Sequence, residues 1–317
     1  MKILVTGGAG FIGAYTAKAL ISRGDEVIII DDFNDYYSQE LKRNRIATLL
    51  KDSPIKIYES DICDFTKLEK IFSENKIEKI CHLAARAGVR ASIDDPFIYQ
   101  KTNIEGTLNL LELARRNKIQ NFVFASSSSV YGNNSKIPFS EEDFVDKPIS
   151  PYAATKKTCE LLGYTYHHLY GLNVMGLRFF TVYGPWGRPD MAYFKFAEAI
   201  KNNKPISLFN YGIDLKRDFT YIADIVEGIL SALDKNLAYE IINLGNNSPV
   251  DLARFVEIIE QNFGKMAEKQ YLPMQQGDVM ITYANIDKAK KLLGYKPQTS
   301  IEDGLYMFIK WFKEYFN

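Results

Sequence analysis

The chain has 317 residues, with 39 basic and 39 acidic side chains and a formal net charge of zero. That balance excludes a general attraction to nucleic acid or to an anionic membrane surface, so an anionic ligand must be held by local arginines and backbone amides. No apolar run approaches the roughly 18 residues of a membrane span, and the three cysteines (Cys63, Cys81, Cys159) lack any metal-ligand spacing, as expected of reduced thiols in a cytoplasmic protein without a metal.

Lys2-Ile3-Leu4-Val5 reads as a short buried strand that begins at once, so no signal peptide is expected. It leads into Val5-Thr6-Gly7-Gly8-Ala9-Gly10-Phe11-Ile12-Gly13, where Gly7, Gly10 and Gly13 punctuate a turn into a helix starting near Phe11. Glycine closes such a turn and lets backbone N–H groups approach a pyrophosphate at the helix N-terminus. A second strand, Glu26 to Ile30, ends in Asp31, about 20 residues on, where a carboxylate would hold an adenosine ribose. The pair predicts a dinucleotide site; an ordinary strand-to-helix turn is the alternative.

Ser38 to Leu50 reads as a helix, Ile55 to Tyr58 as a strand leading to Asp61-Ile62, and Asp64 as the cap of the next helix. Lys79 to Leu83 is a fourth strand ending in Ala84-Ala85, two residues small enough for a flat cofactor to lie against the backbone. Pro96 to Asn117 reads as one long helix and Asn121 to Ala125 as a fifth strand. This alternation predicts an α/β fold with a doubly wound parallel sheet, covered on both faces and binding ligands at the carboxyl ends of its strands.

Ser126-Ser127-Ser128-Ser129-Val130-Tyr131-Gly132 follows the fifth strand, and Ser150-Pro151 opens a helix with Tyr152 and Lys156 on one face. An ammonium beside a phenol favours the phenolate, and a serine can hydrogen-bond the same substrate oxygen. A second pair of this spacing, Tyr306 and Lys310, reads as amphipathic surface. Only Tyr152 follows a strand-end serine.

The second half is less regular. Asn173 to Phe180 is a sixth strand and Glu240 to Asn243 a seventh, with a helix from Met191 to Lys201 and a strand from Ile206 to Phe209 between them. The length suggests about two domains: residues 1–182 plus about 218–247 for the nucleotide, and about 183–217 plus 248–317 as a smaller, discontinuous unit. The helices from Pro96 and Ser150 carry Tyr99, Leu108, Leu111, Leu161, Leu162 and Tyr166 on more than one face. One face must cover the sheet and the other is available to a second copy, so a homodimer through four helices is expected.

Taken together, the glycine turn, Asp31, Asp61-Ile62, His82-Leu83-Ala84-Ala85, Ser127, Val130-Tyr131-Gly132 and Tyr152 with Lys156 resemble the extended short-chain dehydrogenase/reductases, specifically the nucleotide-sugar epimerases. The resemblance runs nearly end to end. It implies a Rossmann sheet, a tightly held NAD that oxidises a sugar hydroxyl, and a UDP-sugar bound between two domains. It also implies roles: Tyr152 as base, Lys156 as its electrostatic partner and Ser127 as the orienting hydroxyl. The cofactor would be held by Gly7, Gly10, Phe11, Ile12, Gly13, Asp31, Asp61, Ile62, Ala84 and Ala85, together with Tyr152 and Lys156. Arg217 matches the arginine that holds the diphosphate, with a surface ion pair to Asp218 as the alternative. Gln275 and Asp278 match positions near the uridine ribose, although Gln276 replaces the usual proline. Asp31-Asp32 replaces the family's usual Asp-Asn, and its second carboxylate further disfavours an NADP phosphate.

Related dehydratases carry an acid and a base directly after the strand-five hydroxyl, places held here by Ser128 and Ser129. Neutral-sugar 4-epimerases usually have asparagine where this chain has Thr181. The segments Tyr183 to Ala192 and Ala87 to Ser92 resemble those of UDP-glucuronate 4-epimerases, though Arg86 stands where many of these have glutamine. The resemblance therefore implies a sugar carboxylate paired with Arg188, beside hydroxyls from Ser127, Ser128, Ser129 and Thr181. A UDP-glucose or UDP-N-acetylglucosamine 4-epimerase and a UDP-glucuronate decarboxylase remain alternatives. An NAD-binding sensor without turnover is a third, disfavoured by the intact Ser127, Tyr152 and Lys156.

Overall fold

The computed structural model describes residues 1–274 and 279–316, so Gln275 and Asp278 lie outside the described residues. From the N-terminus come β1 (Lys2–Thr6), α1 (Phe11–Ser22), β2 (Glu26–Asp31), α2 (Gln39–Leu49), β3 (Lys56–Glu59), α3 (Phe65–Glu74) and β4 (Lys79–His82). Next are α4 (Val89–Asp94), α5 (Pro96–Tyr99), α6 (Gly106–Arg116), β5 (Asn121–Ser127), α7 (Pro151–Tyr170) and β6 (Val174–Phe179). The middle holds β7 (Thr181–Tyr183), α8 (Ala192–Lys201), β8 (Ile206–Leu208), β9 (Lys216–Tyr221) and α9 (Ile222–Asp234). The last third adds β10 (Tyr239–Leu244), β11 (Pro249–Asp251), α10 (Leu252–Phe263), β12 (Lys269–Tyr271), α11 (Asp287–Leu293) and α12 (Ile301–Tyr315).

The main sheet has seven parallel strands in the order β10-β6-β5-β4-β1-β2-β3. This is the doubly wound Rossmann arrangement, and its order reverses between β1 and β4, where such sheets open a crevice for a nucleotide. Its strands are apolar on both sides because both faces are covered. Ile3, Val5, Val27, Ile29, Cys81, Val123 and Met175 point into one core. Their neighbours Leu4, Ile28, Ile80, Phe122, Phe124 and Val174 point into the other.

Helix starts follow the sequence signals. Ser38 accepts the Leu41 N–H at 3.1 Å, Asp64 the Lys67 N–H at 3.0 Å and Ser150 the Ala153 N–H at 3.1 Å. Pro151 sits in the first turn of α7, where its missing N–H costs nothing.

Three features differ from the sequence expectation. The stretch from Pro96 to Asn117 is not one regular helix, because Gln100–Glu105 is π-helical between α5 and α6. That widened turn lets Asn103 face both α7 and the end of β4. The strand expected through Phe209 stops at Leu208, and the chain turns with positive φ at Asn210 and Tyr211. Finally, the chain leaves the main sheet at Phe180, and β7 pairs with β9 in a separate three-stranded sheet, β11-β9-β7. A further pair, β12-β8, lies beside it in sequence.

Candidate active site

The glycine turn is crowded by its own backbone. Gly7 has φ +69°, and a Cβ there would lie 2.7 Å from the Ala84 nitrogen. A Cβ on Gly13 would sit 2.0 Å from the Gly7 carbonyl oxygen. Glycine is therefore required to close the turn against β4 and against itself, before any ligand is considered. The 12-residue α1 opens at Gly10 without a side-chain cap, so the first-turn N–H groups around Phe11, Ile12 and Gly13 take no capping side chain. Such a helix start favours an anion.

Asp31, 8% exposed at the end of β2, accepts the N–H groups of Ala9 and Phe33, each at 2.9 Å. Burial raises its pKa above the usual carboxylate range, against the pull of those two N–H groups. Asp61 and Ile62 follow β3, where Asp61 Oδ1 accepts the Cys63 N–H at 2.9 Å and the Ile62 carbonyl accepts from Asn109 Nδ2 at 3.1 Å. Ala84 and Ala85 follow β4. The predicted cofactor residues thus line the carboxyl ends of four adjacent strands, β3, β2, β1 and β4.

The catalytic candidates gather one strand further on. Lys156, 4% exposed, donates from Nζ to the Ala125 carbonyl at 2.8 Å, two residues before Ser127. Ser127 accepts the Ser129 N–H at 3.2 Å and donates to Ser129 Oγ at 3.1 Å. Tyr152, four residues before Lys156 on α7, packs edge-on against Tyr99 with ring centroids 6.1 Å apart. Its backbone N–H donates to Ser92 Oγ at 3.1 Å. Glu160 extends the same helical face. It accepts Ser126 Oγ at 2.7 Å and both Arg178 Nε at 2.8 Å and Nη2 at 2.9 Å. Because Ser126 lies opposite Arg178 in the sheet, this buried pair fixes α7 against β5 and β6 together.

Two substrate candidates, Thr181 and Arg217, lie on the small sheet, and Arg188 lies in the segment after β7. Thr181 starts β7, two residues beyond Phe179, the register partner of Ser127. Arg217 lies on the neighbouring β9 and donates to the Lys216 and Met280 carbonyls. Asp218 beside it accepts the N–H groups of Asn246, Asn247 and Ala284. Arg188 is 23% exposed, with Nε 3.0 Å from Asp190 Oδ1 and Nη2 on Asp190 Oδ2. Arg188 Nη2 and Tyr99 Oη both approach the Ala87 carbonyl, at 3.5 and 3.1 Å, and the Tyr99 ring is the one packed against Tyr152.

Three residues of the site went unassigned in the sequence. Asn103 binds the Arg86 peptide on both sides and reaches Thr155 of α7. Tyr36, a few residues past Asp31, lies under Arg188 with 5.9 Å from guanidinium to ring centroid. Asp190 holds Arg188. Asn103 follows Gln100-Lys101-Thr102 in a polar run that gives it no distinguishing signal, and Tyr36 and Asp190 read as ordinary loop residues. Among the described residues, no group of His, Cys, Asp and Glu side chains is arranged to hold a metal.

Residues 4–308 match a family described as GDP-mannose 4,6 dehydratase. The UDP-glucuronate 4-epimerase of Thermodesulfobacterium geofontis is 49% identical over 98% of this chain and 96% of the relative. An uncharacterised protein of Methanocaldococcus jannaschii is 53% identical over 99% of this chain and 96% of its own length. The solved UDP-glucuronic acid 4-epimerase of Bacillus cereus, in complex with UDP-glucuronic acid and NAD, superimposes with a TM-score of 0.94. It is 38% identical over 99% of this chain and 100% of that one. With this match over almost its whole length and a nucleotide crevice built from the expected strand ends, the chain belongs to the extended short-chain dehydrogenase/reductases, among their nucleotide-sugar epimerases.

Proposed function

We propose that this protein is an NAD-dependent UDP-sugar 4-epimerase, converting UDP-glucuronate to UDP-galacturonate through a transient 4-keto sugar. The observation that carries the uronate reading is Arg188, a guanidinium that shares the Ala87 carbonyl with Tyr99, the ring packed on Tyr152, and that can pair with a sugar carboxylate. Relatives named UDP-glucuronate 4-epimerase support it.

The residues fit a dinucleotide: a glycine turn with no room for side chains, an uncapped helix start and a buried Asp31 at the ribose position. NAD, when bound, would supply the hydride acceptor and donor that oxidation and re-reduction at the sugar C4 require. Asp61, Ile62, Ala84 and Ala85 flank the cofactor. Tyr152 takes the C4 hydroxyl proton as the hydride leaves and gives it back on reduction. Lys156, fixed on the Ala125 carbonyl, holds positive charge beside the phenol, and Ser127 orients the same oxygen. Ser128 and Ser129 supply hydroxyls where elimination of water would need an acid and a base, so the site suits epimerisation rather than dehydration. Thr181 adds a further donor, Arg217 holds the diphosphate, and Gln275 and Asp278 serve the uridine ribose. Residues 1–182 with about 218–247 form the cofactor domain and the remainder the substrate domain.

A 4-keto glucuronate is a β-keto acid that loses carbon dioxide unless its carboxylate is held in the sugar plane. Arg188 supplies that restraint. An NMR time course with UDP-glucuronate tests the reading. Arg188→Ala should turn over more slowly and raise the pentose share about ten- to hundredfold, the worth of a charge-assisted hydrogen bond. Parent-rate epimerisation without added carbon dioxide release would make a neutral sugar the better substrate.

The exposed Leu108, Leu161 and Tyr164 on α6 and α7 support a homodimer through these helices, checked by sedimentation at micromolar concentration. Tyr99 and Leu111 are buried within the chain and take no part. Three unpaired cysteines and no helix long and apolar enough to cross a membrane among the described residues support a cytoplasmic setting.

A further inference from the structure

Arg188 is bound before any sugar arrives. Asp190 faces its guanidinium through two parallel contacts, from Nε at 3.0 Å and from Nη2. That side-on edge is one of the two that a carboxylate ligand can grip in bidentate fashion. The surrounding loop fixes the pair. The Met191 N–H returns to the Arg188 carbonyl at 3.2 Å, closing a turn through Pro189 that brings residues two apart face to face. Trp186 holds φ +61°, and Gly187 is pressed so closely on Tyr193 that a Cβ would overlap its hydroxyl at 1.9 Å. The Tyr36 ring lies beneath the guanidinium, and the Ala87 carbonyl stands 3.5 Å from Nη2. Burial pulls the Arg188 pKa down, but Asp190 outweighs it and holds the group charged. Both side chains keep solvent access, at 23% and 29%, so an incoming group can reach them.

A neutral Arg–Asp pair presents little net charge to the sugar, whereas a bare guanidinium would grip any uronate. Substrate and product of the proposed reaction carry the same carboxylate, so what tightens entry also delays release. We propose that Asp190 is an internal stand-in for the sugar carboxylate, occupying the Arg188 edge in the free enzyme and yielding it when a uronate binds. Asp190 thereby limits the preference for anionic over neutral sugars, and it recaptures Arg188 as product leaves. The inference rests on the uronate reading of the site.

Calorimetric titration of the NAD-loaded protein with UDP-glucuronate, UDP-glucose and UDP tests it. Asp190→Asn should bind UDP-glucuronate about tenfold more tightly, leaving UDP nearly unchanged. In an Arg188→Gln background the same change should have no effect on UDP-glucuronate. Equal or weaker uronate binding by Asp190→Asn overturns the proposal, as does an equal gain in both backgrounds, which would mean direct repulsion rather than competition for Arg188. If Arg188→Gln alone leaves UDP-glucuronate affinity unchanged, the uronate reading and the inference fall together. Should Asp190→Asn fail to fold, crystals of the parent with UDP-glucuronate decide the matter: the sugar carboxylate, not Asp190, must occupy the Nε edge.

Discussion

Asn103 clasps the Arg86 peptide from both sides: its Oδ1 accepts the Arg86 N–H at 2.8 Å and its Nδ2 donates to the Arg86 carbonyl at 3.0 Å. The same Nδ2 reaches Thr155 Oγ1 on α7 at 3.0 Å, and the Asn103 carbonyl accepts from Cys159 Sγ. One buried amide therefore ties the segment after β4 to the helix of Tyr152 and Lys156. Asn103→Ala should leave buried backbone groups unpaired and destabilise the fold by about 1–3 kcal/mol. It should also weaken NAD binding, because Ala84 and Ala85 precede the released peptide. Chemical denaturation with and without NAD measures both effects.

Asp31 already accepts two N–H groups and sits in a site that resists further negative charge. NAD should bind in preference to NADP, whose extra phosphate would face this carboxylate and Asp32. Asp31→Ala should weaken NAD by about tenfold or more and narrow the preference, since a charge-assisted hydrogen bond is lost. Parallel fluorescence titrations with the two nucleotides give the ratio.

Tyr152→Phe removes only the hydroxyl and keeps the ring packed on Tyr99. Turnover should fall by about a hundredfold or more, as expected for loss of a general base. NAD and UDP-sugar affinity should stay close to the parent's. Nicotinamide absorbance after mixing with UDP-glucuronate should not change in the variant, and a change at the parent rate would remove Tyr152 from the chemistry.

His82 is 3% exposed, its Nδ1 2.7 Å from Thr6 Oγ1 and its Nε2 2.9 Å from Thr107 Oγ1. Burial, with a smaller push from Lys156, drives its pKa down to about 3. An unfolded histidine titrates near 6.5. Below that pH the unfolded chain binds a proton that the folded chain refuses, so stability is full above about 6.5 and falls as the pH drops. The slope from this group is about 1.4 kcal/mol per pH unit. Denaturation midpoints between about pH 7 and pH 5 should show it, and His82→Gln should flatten it.

The main sheet was legible because a strand covered on both faces must be apolar through its middle, as Val27 to Ile30 and Phe122 to Ala125 are. Its strand ends then located Ser127, Asp31 and the glycine turn. β7, β11 and β12 were not legible, being three residues long and largely polar, with partners distant in sequence. The π-helical turn at Asn103 has no periodic signature, since its residues fit an α-helix equally well. Asp190 escaped for another reason. An acid two residues from an arginine around a proline reads as a solvated turn, and only the folded loop shows its carboxylate engaged.

The departure of the chain from the main sheet at Phe180 separates two inheritances. Everything up to Phe179 belongs to a sheet whose rearrangement would disturb the hydride chemistry. Thr181 and the loop through Asp190 hang from a three-stranded sheet that shares no ladder with it. Residues 181–190 can therefore be rewritten without touching a ladder of the main sheet, whereas Ser127 belongs to it. For the same reason, transplanting residues 181–190 between relatives is the natural first step in redirecting this scaffold to a different sugar.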